Sequence, residues 1–282
     1  MKFFKYLFFI FIIFLYGCCN ELSTYNQFMQ VHFIDVGQGD AILVQVNDKN
    51  LLIDSGPKEN STYFLNYLNS LNIKKIDYII ATHPHEDHIG NMYSVIKKYN
   101  IGEFFAPKIV HTSKSFEKMV ESLISKNKKI NVLDTNTSSI HLGSNTKIHI
   151  YSPFPKDYGD NLNLYSAIFK IEYGSTSFLF TGDAEKLNEE EILNSNISIK
   201  SDVLKVAHHG SSTSTSLSFF NSVSPSIAVI SVGKDNIYNH PNSDVINLIE
   251  SKTKKIYRTD INQTIVLISD GNNIYEKFAY KW

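Results

Sequence analysis

From Val31 onward the sequence predicts a single α/β domain. Short runs rich in Val, Ile, Leu and Phe alternate with segments of helical periodicity along that whole stretch, and no Pro/Gly-rich linker interrupts it. The chain has 282 residues, 43% of them hydrophobic and 20% charged. That is enough to close a substantial core, and too apolar for a disordered or coiled-coil chain.

VHFIDV (31–36), AILVQV (41–46) and NLLIDSG (50–56) are three short strands, the last two joined by an Asn47-Asp48-Lys49 turn. Residues 62–71 place Tyr63, Phe64, Leu65, Tyr67, Leu68 and Leu71 on a helical face. IDYIIAT is a buried strand that ends at Thr82. A helix over 91–99 precedes the short strand EFFAP, and residues 115–126 form another amphipathic helix. KIHIYSP, AIFKIEYG and TSFLFTGD form an antiparallel set, given the tight Gly-containing turn between the last two. The remainder reads helix (184–193), strand DVLKVAH, helix (216–223), strand SIAVISVG, helix (244–251) and closing strands.

Ahead of this domain, Lys2 and Lys5 precede an unbroken apolar run of nine, Leu7 to Leu15. A bilayer span needs about 20 apolar residues, so the run suits a signal-peptide core instead. Leu15-Tyr16-Gly17-Cys18 resembles the bacterial lipoprotein signal, which implies lipidation at Cys18, a signal at 1–17 and a polar tether over 18–30. The alternative is an uncleaved apolar anchor. Both readings export the body, residues 31–282, and hold it at the membrane. The two adjacent cysteines, Cys18 and Cys19, exclude a disulfide framework. Loss of residues 1–17 leaves 25 basic against 28 acidic residues, without the basic excess of a nucleic-acid coat. Arg258 is the only arginine, so any phosphate recognition falls to lysine.

Six of the ten histidines fall in three places: His83, His85 and His88; His208 and His209; and His240. The first group lies in ATHPHEDHIG (81–90), directly after a strand. In this His-x-His-x-Asp-His spacing, His83 and His85 can chelate one ion while Asp87 and His88 turn toward a second. Imidazole and carboxylate donors suit Zn²⁺ and several other transition metals. Of the pair at the end of DVLKVA, one histidine is expected to ligate and the other to act as general acid or as support for a ligand. His208 is the favoured ligand and His209 the favoured acid. His240 is a last ligand or a proton donor.

The His-x-His-x-Asp-His segment resembles the signature of the metallo-β-lactamase superfamily, and the likeness covers residues 31–282. It implies a four-layer αββα sandwich in a single domain. Asp54, ending the LLIDSG strand, stands where the superfamily places an acidic residue that supports the metal loop. Asp183 of Thr181-Gly182-Asp183 stands where an aspartate bridges two metals. HFIDVGQGDAILVQ (32–45), TGDAE (181–185), LKVAHHGS (204–211) and the Asn239-His240-Pro241 triplet are similar to the metallo-hydrolase domain of the ComEC/Rec2 competence family, here as a free-standing exported copy without the channel segment. In that family the Gly37-to-Asp40 loop lies beside the metal centre, so Asp40 is expected at the site rim. Lys205 is the family lysine before the histidine pair, or equally a core-edge lysine with its amine in solvent. One departure matters: the superfamily's further histidine before the strand into TGD is missing from 161–166. Asn163 and Ser166 resemble the Asn/Ser pair found there in ComEC-like proteins. His111, His141 and His149 lie nearby in sequence, the last two in a hairpin pattern.

The resemblance thus implies metal-assisted hydrolysis with one or two divalent ions, Zn²⁺ or Mn²⁺, held by His83, His85, Asp87, His88, Asp183 and His208. His209 or His240 would protonate the leaving group, with Asp87 also at the reacting centre. A DNA phosphodiester is the first substrate expected. A small ester, lactone or other phosphoester is the alternative, and a catalytically idle binding lipoprotein the third reading. Nothing in the sequence points to a protein partner.

Overall fold

The computed structural model describes residues 28–278. The expected signal segment, Cys18 and residues 18–27 of the tether lie outside the described residues. Met29 and Gln30, expected in the tether, already belong to the first strand.

The strands are β1 (Met29–Phe33), β2 (Ile42–Val46), β3 (Lys49–Ile53), β4 (Lys75–Ile80), β5 (Asn100–Ala106), β6 (Ile130–Val132) and β7 (Thr146–Ser152). They continue as β8 (Ile168–Tyr173), β9 (Thr176–Phe180), β10 (Val203–Lys205), β11 (Ile227–Ile230), β12 (Lys255–Arg258), β13 (Ile265–Ser269) and β14 (Ile274–Phe278). The α-helices are α1 (Ser61–Ser70), α2 (Glu86–Ile89), α3 (Met92–Lys98), α4 (Lys114–Ser125), α5 (Lys186–Asn194), α6 (Leu217–Val223), α7 (Ser243–Glu250) and α8 (Thr259–Asn262). The strands form two sheets, ordered β14-β13-β1-β2-β3-β4-β5-β6 and β12-β11-β10-β9-β8-β7.

Four layers follow from the period of two along each strand. In β11, Ile227 and Val229 face the other sheet while Ala228 and Ile230 face helices. In β2, Val44 enters the core between the sheets and Leu43 the core under α1, α3 and α4. Strands buried on both faces lose polar alternation, which is why AILVQV and SIAVISVG read as near-continuous apolar runs. Phe33, Phe169 and Phe180 stack across the central core, with Phe169 and Phe180 ring centroids 5.2 Å apart. Phe64, Met92, Val95 and Met119 cover one outer face, and Ile192, Phe219, Phe220 and Ile249 the other. This is the αββα sandwich that the resemblance implied.

Strands β3, β4 and β5 run parallel, as do β9, β10 and β11. Their carboxyl ends therefore release Asp54, residues 81–88, Asp183, His208 and His209 along the same edge of the sandwich. The β2–β3 hairpin turns on Asn47 and Asp48 alone, both at positive φ, with Lys49 already opposite Val46. Three of these strands and helices were not anticipated: β6, three residues long; α2, a single turn carrying Asp87 and His88; and α8, a single turn between the closing strands.

Candidate metal centre

Asp54 organises the centre from below. It is fully buried at φ 56°, in the left-handed region. Its Oδ1 accepts from the Thr82 backbone N–H at 2.8 Å, and its Oδ2 from Thr82 Oγ1 at 2.6 Å. His88 Nδ1 lies 2.8 Å from the same Oδ2. The carboxylate thus accepts a hydrogen bond from Nδ1–H and leaves Nε2 for the site, the arrangement common behind metal-ligating histidines.

Across the cleft, His209 Nδ1 donates to the Ser231 carbonyl at 2.8 Å. Its Nε2 lies 3.3 Å from Asp87 Oδ2 and 3.4 Å from Asp183 Oδ2. His88 Nε2 stands 3.2 Å from Asp183 Oδ1. One ligand atom each from Asp87, His88, Asp183 and His209 falls within 4.8 Å of all the others. His88 Nε2, His209 Nε2 and Asp183 Oδ1 are buried without a hydrogen-bond partner among the described residues. Buried polar atoms are rarely left so, and three orphans around one point are what a cation would satisfy. Two imidazoles and two carboxylates suit a divalent transition metal. The residues fit the group.

The electrostatics agree. Burial opposes charge on His209, yet the carboxylates of Asp183, Asp87 and Asp40 outweigh it and push its pKa up to about 10. His88 is raised well above the ordinary value by Asp183, Asp87 and Asp54, again against burial. Asp183 is held well below the carboxylate range because His209 and His88 overcome its burial. Without an ion, protons occupy the positions where a dication would sit.

His83 and His85 form a second pair, His83 Nε2 to His85 Nδ1 at 2.9 Å, with His83 Nε2 4.0 Å from Asp183 Oδ2. Asp183 therefore lies between the two histidine groups. Burial, then His88, keeps His83 well below its ordinary pKa and so neutral. No third His, Cys, Asp or Glu completes a group with His83 and His85 among the described residues. Asn163 turns its amide to Glu185, Nδ2 to Oε1 at 3.1 Å, while its Oδ1 is buried and unpartnered. Ser166 Oγ accepts the Asp183 backbone N–H at 3.2 Å and braces the aspartate. His141 is exposed, and His149 in β7 lies 3.4 Å from Glu172.

The positions of His208 and His209 bear on which of the two is the ligand, where His208 was expected. The geometry puts His209, not His208, in the four-residue group. Both residues have left-handed φ, 49° and 53°, so the chain coils tightly as it leaves β10 and their rings part. His208 is more exposed, with Nδ1 3.1 Å from Thr213 Oγ1 and Nε2 3.7 Å from Asp183 Oδ2. His240 lies beyond it, ring centroids 5.6 Å apart, and Tyr238 stacks on His240 at 5.8 Å. His240 is not in the four-residue group. The sequence reading missed Thr213, Glu185 and Tyr238 beside these histidines; only the tight backbone brings the first two near, and Tyr238 carried no signal beyond its place before the Asn-His-Pro triplet.

Asp40 and Lys205 belong behind His209. Lys205 Nζ is 2.8 Å from Asp40 Oδ2, both side chains buried, and Asp40 Oδ1 is 3.5 Å from His209 Nδ1. The alternative of a Lys205 amine in solvent is thereby overturned. Asp40, Asp54 and His88 also cluster, but Thr82, His88 and Lys205 already engage those carboxylates. This second cluster is a supporting layer.

Comparison with known proteins decides the family. The profile described as Metallo-beta-lactamase superfamily matches residues 34–234. The chain belongs to the metallo-β-lactamase superfamily. ComE operon protein 3 of Bacillus subtilis (strain 168) is 30% identical over 274 residues, covering 91% of this chain and 34% of that protein. Recombination protein 2 of Haemophilus influenzae is 29% identical over 237 residues, 83% of this chain and 28% of the relative. The chain thus spans about a third of the length of these curated relatives. Among solved structures, the metallo-β-lactamase fold protein YhfI from Bacillus subtilis superposes with a TM-score of 0.54 at 12% identity, over 88% of this chain and all of that one. Igni18, a metallo hydrolase from Ignicoccus hospitalis, gives 0.54 at 17% identity, over 84% and 98%. At such identities the likeness concerns the fold. Family and donor set together make the protein a metal-dependent hydrolase with room for one or two divalent ions.

Proposed function

We propose that the protein is a phosphodiesterase acting on nucleic acid, with its domain outside the cytoplasmic membrane and tethered through Cys18. The observation that carries the hydrolytic reading is the group of half-buried Asp87 with buried His88, Asp183 and His209, and its three unpartnered atoms. The choice of substrate is supported by similarity to proteins named for competence and recombination. A divalent ion held by such a group would supply a bound water whose pKa falls from about 15.7 toward roughly 7, and would offset negative charge on a phosphoryl oxygen.

The chain's own residues supply the rest. Asp54 and the Ser231 carbonyl hold His88 and His209 with their Nε2 atoms inward. Asp183, braced by Ser166, stands between this group and the His83–His85 pair. His208 is the hydrogen-bond donor that stabilises the leaving oxygen. Its Nδ1 lies 3.1 Å from Thr213 Oγ1, and the tautomer in which that hydroxyl donates carries its hydrogen on Nε2, the nitrogen 3.7 Å from Asp183 Oδ2. Burial lowers its pKa, so the ring is neutral at pH 7 and gives a hydrogen bond to the departing oxygen.

The test pairs His208→Asn with His209→Asn, assayed with Mn²⁺ and Zn²⁺ on plasmid DNA, bis-p-nitrophenyl phosphate and a lactone. His209→Asn is expected to lose bound metal. His208→Asn is expected to keep metal and lose about 10²-fold or more in turnover. Assay of intact cells and washed membranes places the activity. Lactone turnover without phosphodiester turnover would replace the proposed substrate, and metal loss in His208→Asn alone would reverse the two roles.

A further inference from the structure

A groove of about 840 Å³ leads away from the metal loop. His83 and Pro84 line it, so it adjoins the centre at His83. Pro107 and Val110 after β5, Phe116 of α4, Val132 of β6, Phe154 and Tyr165 line it with aromatic, proline and valine side chains. The charged residues lining it are two lysines, Lys108 and Lys156, and two aspartates, Asp134 and Asp157. Lys156 pairs with Glu191, Tyr165 donates to Asp157, and Asp134 accepts from the Asn136 backbone. Lys108 forms no ion pair among the described residues. Such a lining does not track a phosphate chain. It is a pocket for one uncharged planar group with a single anion near its lip, and its volume is that of a small-molecule site. Val110 is 79% exposed and Val132 47% exposed, apolar surface that an inserted ring would cover.

We propose that this groove is the subsite for an uncharged planar ring carried beside the scissile phosphorus, which in a nucleic acid is an unpaired base. The inference rests on the phosphodiesterase reading above and deepens it. Stacking against aromatic and proline faces is tolerant of base identity. A base inside a duplex is already stacked and does not reach the groove, so single strands are the preferred form.

The experiment compares thymidine 5′-(p-nitrophenyl phosphate) with methyl p-nitrophenyl phosphate, which share a leaving group and differ in the group bound for the groove. The parent protein is expected to show a KM about tenfold lower for the thymidine ester. Phe154→Ala and Val132→Asp should bring the two KM values together and leave turnover of the methyl ester unchanged. Equal KM values in the parent, or a preference that survives both substitutions, would overturn the subsite. Should neither ester be hydrolysed, the phosphodiesterase reading fails separately. Saturation-transfer NMR on thymidine 5′-phosphate then decides the groove: base protons saturated in the parent and not in the variants support it, and equal signals in all three sink it.

Discussion

Lys205 keeps its amine out of water, and Asp40 makes that tolerable. The pair at 2.8 Å is buried on both sides, and the amine also donates to the Val206 carbonyl at 3.0 Å. Removing one partner of a buried pair strands the other charge, at a cost of about 3–5 kcal/mol. Lys205→Met should therefore lower unfolding stability by about that amount in a denaturant titration. Stability within about 1 kcal/mol of the parent would mean that Asp40 finds another partner. The spacing of the His-x-His-x-Asp-His segment made its chemistry legible from residue types alone. The direction of His208 and His209 was not legible, because consecutive left-handed residues break the alternation that a strand end would give. Such conformations cost of order 1–3 kcal/mol each and gather at functional sites. Gly210, at φ 83°, completes the coil, since a Cβ there would meet Pro241 Cβ at 2.5 Å.

The loop between β1 and β2 and the single-turn helix α2 behave as one unit. The Asp40 backbone N–H donates to the Asp87 carbonyl at 3.2 Å, and Gly56 N–H donates to the Asp40 carbonyl at 2.7 Å. Gly39 has φ 143°, and a Cβ there would stand 2.2 Å from the Asp87 carbonyl oxygen. Gly39→Ala should therefore push α2 outward and carry Asp87 and His88 off the other two ligands. Metal content measured by mass spectrometry is expected to fall while far-ultraviolet circular dichroism keeps the parent spectrum, because both sheets lie away from the contact. Full metal content would show that the loop gives way instead. The Gly37–Asp40 loop was placed beside the centre by resemblance, and this carbonyl contact supplies the physical cause. Long elements such as α4 were readable because a helical face repeats over several turns. The four residues of α2 and three of β6 hold one period and no second to repeat it, so no pattern marks them in the sequence.

At the scale of the whole molecule, the centre is a place where the fold stores charge. His88 and His209 are raised and Asp183 is depressed, so the metal-free protein at neutral pH holds two imidazolium rings against carboxylates. A ligating imidazole must be neutral, so metal uptake releases these protons and tightens as pH rises. The same shift acts oppositely on the metal-free fold. The raised His209 pKa contributes stability that is full below the ordinary value of 6.5 and is lost as pH climbs through about 10. Between pH 6.5 and about 9, the metal-free protein should therefore lose stability while the loaded protein gains from tighter binding. The expected result is a gap in Tm between protein with saturating Mn²⁺ and protein with chelator that widens steadily over that window. Calorimetric titration at pH 7 in buffers of different ionisation enthalpy should report about one to two protons released per ion. A constant gap with no proton release would mean that the two histidines are already neutral in the metal-free protein. The charge balance would then lie elsewhere, in the Asp54 and Asp40 layer behind them.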